Sequence, residues 1–94
     1  MMDRVYGRVR RVLDGDTLDV EITRRSSGNR YDYAPVERVR LVGIDAPERG
    51  SRGSRAARQQ LANRVAGRGM RIDVHARDRY GRLIGKVTVT PNRR

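Results

Sequence analysis

A small, mainly β domain closed into a barrel with one helix is predicted by three observations. Five short segments alternate apolar and polar residues at the period of a strand; only one segment repeats at helical spacing; and turn signals separate nearly every pair. Strands this short, broken this often, favour a closed barrel over a sandwich. Their order, β-β-β-α-β-β, is that of the OB-fold, and residues 1–94 read as one such domain with no repeat or low-complexity segment.

The first strand is read in "VYGRVRRVL" (Val5 to Leu13), where the alternation slips by one place at Arg10 and Arg11, as a β-bulge would make it. "DGDT" (Asp14 to Thr17) is a turn: Gly15 can take positive φ, and the aspartates can accept from nearby backbone N–H groups. "TLDVEI" (Thr17 to Ile22) alternates strictly and completes a hairpin, with Leu18, Val20 and Ile22 on one face. Thr23 to Pro35 is polar and punctuated by Gly28 and Pro35, hence a loop. "VERVRLVGI" (Val36 to Ile44) is the third strand. The helix follows, with Ser54 as its N-cap, Ala57, Leu61 and Val65 on its apolar face and Gly67 as its C-cap. "MRIDVH" (Met70 to His75) and "LIGKVTV" (Leu83 to Val89), joined by the turn "RDRYGR", supply the last two strands, and the tail from Thr90 is expected to fray.

The formal charge is +11, and all but one of the 22 basic residues are arginine. A compositional preference explains arginine over lysine, but it leaves the excess itself unexplained; such an excess suits a polyanionic partner, above all nucleic acid. With Phe and Trp absent and four tyrosines in all, the core must come from Val, Leu, Ile, Ala and Met, and stability should be modest. The lack of cysteine excludes a disulfide framework and any thiolate site. No apolar run approaches the ~20 residues of a membrane span, and no secretory signal opens the chain, so it reads as cytoplasmic as given, or secreted if it is a mature fragment.

The residues with chemistry to offer cluster around "RLVGIDAPE". Asp16 starts the second strand and Asp45 follows the third, so two carboxylates can converge on a hard cation such as Ca²⁺, which relieves the repulsion between them. Glu48 lies three residues on, beyond the stiffening Pro47, placed to activate or orient water. Arg40 and Arg82 could clamp the charge that builds on a phosphodiester under attack. Singly, each of these is a common turn, a common strand exit or one arginine among many.

Together, "VLDGDTLDV", "RVRLVGIDAPE" and "DRYGRLIGKV", in this order with a helix between the last two, resemble the staphylococcal nuclease-like (thermonuclease) family over about Val5 to Val89. The resemblance implies an OB-type barrel and calcium-dependent hydrolysis of single-stranded DNA and RNA. By it, Asp16 and Asp45 are metal ligands together with the Ala46 carbonyl, Glu48 is the catalytic glutamate, Arg40 and Arg82 bind phosphate, and Arg79 and Tyr80 contact the substrate. Relative to the family's secreted members, Ala46 replaces Thr, the loop after Glu48 is shorter, and the chain stops after the fifth strand where theirs continues into further helices. Barrel faces left bare in this way would lower stability or promote self-association.

Three readings compete on this basis: a nuclease; an OB-type module that binds nucleic acid or protein without cutting; and a basic ribosome-associated or structural protein, which leaves Asp16, Asp45 and Glu48 unexplained. Tyr31 and Tyr33 read as cover for a barrel edge, with base stacking as the alternative. His75 reads as an exposed strand residue and not a general base, and the helix face of Arg55, Arg58 and Arg64 as a solvated surface that can steer a polyanion.

Overall fold

The computed structural model describes residues 2–43 and 50–90. Its elements are β1 (Asp3–Asp14), β2 (Thr17–Arg25), β3 (Val36–Leu41), α1 (Ser54–Val65), β4 (Gly69–Arg77) and β5 (Leu83–Val89), in the expected order. The strands close into a barrel in the sequence β1-β2-β3-β5-β4, with β4 returning to β1. All pairings are antiparallel except β3 with β5, which run parallel because α1 and β4 intervene.

Alternation does the sorting. Leu18, Val20, Val39, Ile72, Val74 and Leu83 point inward and are at most 1% exposed, and α1 closes the barrel with Leu61 and Val65. The slip at Arg10 is a true bulge: Val9 pairs with Val20 and Arg11 with Asp19, so Arg10 is passed over. His75 is passed over in the same way between Val74 and Ala76 and lies exposed, as expected.

Five local expectations are corrected. The helix begins at Ser54 itself, with Gly53 at the cap position in the left-handed region (φ 84°) and no side-chain cap bond. A glycine that alone tolerates this φ turns the chain into the helix, so Ser54 is already helical and its N–H donates to the Ser51 carbonyl. The third strand stops at Leu41 instead of Ile44, because Gly43 takes φ 80° and breaks the extended backbone; Ile44 lies outside the described residues. The hairpin turn needs no positive φ at Gly15; it is braced instead by the Asp16 N–H donating to Asp14 Oδ1 at 3.1 Å. At the other helix end Ala66 is the cap and Gly67 follows it with φ 68°. The N-terminal strand runs two residues further than expected, to Asp3, because β4 pairs with it from Arg8 back to Asp3.

Close approach makes Gly7 obligatory. A Cβ there would sit 2.2 Å from the Glu21 carbonyl oxygen and 2.6 Å from Val20 Cγ1, both on the paired strand. Gly7→Ala should therefore cost about 1–3 kcal/mol by overpacking, read as a lower denaturant midpoint.

The loop after β2 is pinned by one acid. Asp3, 4% exposed, accepts from the N–H groups of Arg30 and Tyr31 and from the Tyr33 hydroxyl at 2.7 Å. Tyr33 thus does cover the barrel edge, packed against the core, while Tyr31 stays exposed with Arg77 beside its ring. Burial pushes the Asp3 carboxyl up, but these donors together hold it below its ordinary 3.8. A depressed carboxyl contributes stability that is fully present above 3.8 and lost as pH falls through the lower folded-state value. Asp3→Asn should then lower stability at neutral pH and flatten the acid limb of a stability–pH profile; an acid limb equal to wild type would contradict it.

Candidate functional site

The hairpin turn delivers Asp16 to the start of β2 and the register delivers Arg40 beside it. Thr17 pairs with Arg40 across β2 and β3, and the Leu41 N–H donates to the Asp16 carbonyl at 2.8 Å. Arg40 Nη2 lies 3.4 Å from Asp16 Oδ2, and its Nη1 donates to the Leu41 carbonyl at 2.7 Å. The Thr17 hydroxyl donates to Asp16 Oδ1 at 2.9 Å. The acid and the arginine singled out from sequence therefore meet.

Arg82 comes to the same surface by a different route. Arg40 is the register partner of Ile84 on β5, so Arg82, two residues earlier, faces outward on the same sheet face. The turn before it is built on Asp78, whose Oδ1 accepts from the N–H groups of Tyr80 and Arg82, both at 2.9 Å, and whose Oδ2 takes Arg82 Nε at 2.7 Å. Gly81 closes this turn at φ 86°. Burial raises the Asp78 carboxyl, yet the Arg82 guanidinium and the two N–H donors hold it below its usual range, so it stays charged and keeps its grip. Arg79 and Tyr80 sit at the exposed tip, Tyr80 71% exposed, with the Arg79 Nη2 donating to the Tyr80 hydroxyl. Asp45, Ala46 and Glu48 lie outside the described residues.

Two participants were not singled out from sequence. Asp78 is one, and its signal was available as an acid four residues before Arg82 across a Tyr-Gly turn. Asp14 is the other, two residues before Asp16 in the same "DGDT". Burial raises both carboxyls of this pair. Asp14 ends below its usual range because the Asp16 and Thr17 groups donate to it, while Asp16 ends above its own because burial and the Asp14 carboxyl outweigh Thr17 and Arg40.

The donor set here tests what a cation would find. Among the described residues no group of three or more His, Cys, Asp or Glu side chains gathers for a metal. What the turn does supply is two crowded carboxyls, all-oxygen donors, with Asp16 disfavoured as an anion by burial and by the Asp14 carboxyl beside it. These residues fit a hard cation of the calcium or magnesium kind and would suit a soft one poorly.

A five-stranded OB-type barrel with an acid-and-arginine cluster on its outer face is the class that fold and site define. The chain belongs to the family described as "Staphylococcal nuclease homologue", whose profile matches residues 38–94, more than half of it. It is 40% identical over 83 residues to an "Uncharacterized endonuclease" of Escherichia coli, covering 88% of this chain and 48% of that protein. To "Protein ParB" of Escherichia coli it is 46% identical over 83 residues, 88% of this chain and 41% of that one. To a "Micrococcal nuclease" of Shigella flexneri it is 41% identical over 81 residues, 86% and 41% respectively. The chain spans less than half the length of these relatives. Among the described residues, no helix is long and apolar enough to cross a membrane.

Proposed function

We propose that this chain is a nuclease that hydrolyses phosphodiester bonds of single-stranded DNA and RNA with calcium as its ion. The observation that carries this reading is the meeting of Asp16 with Arg40 at 3.4 Å, on the face that also bears the braced Arg82. An isolated turn aspartate or a solvated arginine needs neither partner.

In this reading Asp16, Asp45 and the Ala46 carbonyl would hold the ion, which supplies positive charge at the phosphate and at the attacking water. Arg40 and Arg82 bind the non-bridging phosphate oxygens, on which charge grows as the phosphorus is attacked. Glu48 takes the proton of the water whose oxygen bonds to phosphorus, and the ester P–O bond breaks as the leaving oxygen departs. Arg79 and Tyr80 contact the neighbouring nucleotide. The family membership and the relatives named as nucleases support the chemistry, and the excess of 11 positive charges supports a polyanionic substrate.

The test is degradation of a labelled single-stranded oligonucleotide with calcium, with chelator, and with Glu48→Gln purified alongside. Loss of label that needs both calcium and Glu48 is the expected result. An intact oligonucleotide that is nonetheless retarded on a gel would replace the nuclease with a binding module. Asp16→Ala should abolish calcium binding in calorimetry, and an unchanged affinity would remove Asp16 from the ligands.

A further inference from the structure

Asp19 stands between two arginines that the candidate site does not use. The β2 register sets it opposite Arg11 on β1 and opposite Arg38 on β3. Asp19 and Arg38 face outward, since their neighbours Leu18, Val20 and Val39 are buried, and Arg11 is itself exposed. Arg38 grips Asp19 with two bonds, Nε to Oδ1 at 2.9 Å and Nη2 to Oδ2 at 3.3 Å. On its other side the parallel pairing places Val39 beside Leu83, so Arg82 is the next neighbour of Arg38. These two arginines with Asp19, Val36, Tyr80 and Gly81 line a groove of about 460 Å³.

Arg82 just before β5, Arg38 on β3 and Arg11 on β1, with Asp19 on β2 between the last two, thus form a row across the width of four adjacent strands. At the ~4.8 Å spacing of paired strands the row is ~14 Å long, room for at least two further phosphates at the ~3.4 Å spacing of a stacked strand. Like charges set side by side on a sheet cost stability, and Asp19 and Asp78 offset only part of the three positive charges. A merely solubilising arginine also gains nothing from being fixed. Arg38 is held by its Nε–Nη2 edge, as Arg82 is held through Nε by Asp78, which leaves the end of each fork to meet a phosphate. At the head of the row Tyr80 is 71% exposed, its ring 5.0 Å from the Arg79 guanidinium and 5.6 Å from that of Arg82, a surface on which a base can stack.

We infer that this row is the track along which a single-stranded nucleic acid leaves the site, with Arg38 and Arg11 gripping phosphates beyond the one that is cut. The inference rests on the reading of the site as one for single-stranded nucleic acid. It adds a binding surface and a direction, across the strands and away from Arg82.

Fluorescence anisotropy of a labelled oligothymidylate of about twelve nucleotides, within the range of OB-fold site sizes, measures it; chelator is present and salt is varied. Each lost phosphate contact should flatten the slope of log affinity against log salt by about 0.7, so Arg11→Ala/Arg38→Ala should lose about 1.4. The control Arg24→Ala/Arg30→Ala removes two exposed arginines, one near the far end of β2 and one in the loop that follows it, and should keep the wild-type slope. An unchanged slope in the first variant, an equal loss in the control, or no binding by the wild type would each overturn the track. Wild-type protein that binds with the expected loss of slope yet never cuts would fail the nuclease reading and leave the track standing. Calcium-dependent cutting with an unchanged slope would do the reverse.

Discussion

Arg82→Ala is expected to lower kcat by about 10²–10³-fold, the cost of deleting one preorganised donor to a developing anion, while KM changes far less. The size follows from how the side chain is held. Asp78 takes its Nε at 2.7 Å and also caps the backbone of the turn that carries it, so the guanidinium is set before substrate arrives and little reorganisation is left for the reaction. Such a donor acts chiefly on charge that appears in the transition state. Arg82→Lys should recover little, because an ammonium cannot hold the Asp78 bond and offer a planar fork at once. Asp78→Asn tests the brace by itself: a loss in kcat smaller than that of Arg82→Ala, with KM nearly kept, is the mark of a positioning residue. Turnover by Arg82→Ala equal to wild type would take Arg82 out of the mechanism.

The parts of this molecule that sequence revealed are those carried by local period. Leu18, Val20 and Ile22 had to share a face, the slip at Arg10 had to be absorbed by a bulge, and Leu61 and Val65 had to face the barrel. What it concealed depends on backbone angles or on distant partners. Ser54 reads as a cap until Gly53 turns left-handed before it, and β3 reads through to Ile44 until Gly43 bends it. Asp3 looks like an N-terminal surface acid, because the donors that bury it come from residues 27 to 30 positions away. The site divides in the same way. Asp16, Arg40 and Arg82 stand out through their motifs, and the acids beside them, Asp14 and Asp78, are local turn partners, whereas the Arg38–Asp19 pair emerges only once strand register decides who faces whom.

Glu37→Ala should be the most damaging single change to stability, by about 3–5 kcal/mol in a small domain with roughly 5–15 kcal/mol in total. Glu37 points inward with Val39 and Leu41 and is 6% exposed. Its Oε1 and Oε2 take Arg77 Nη1 and Nη2 at 3.0 and 3.2 Å, and Oε2 also accepts the Ala34 N–H at 2.8 Å. Arg77 in turn donates to the carbonyls of Asp32 and Gly81. One ion pair therefore ties the β2–β3 loop, the third strand and the turn that carries Arg82. Removing Glu37 leaves a half-buried guanidinium without its anion, which costs more than the pair itself contributes, so Glu37→Ala/Arg77→Ala should cost less than the two single changes added together. Denaturant unfolding of the three variants reads both the loss and the coupling. A loss under about 1 kcal/mol in Glu37→Ala would place the pair with ordinary surface ion pairs. Because the same contacts end on the Gly81 carbonyl, Arg77→Ala should also slow turnover at temperatures where it remains folded; turnover equal to wild type under those conditions would show that the Asp78 brace holds Arg82 without help.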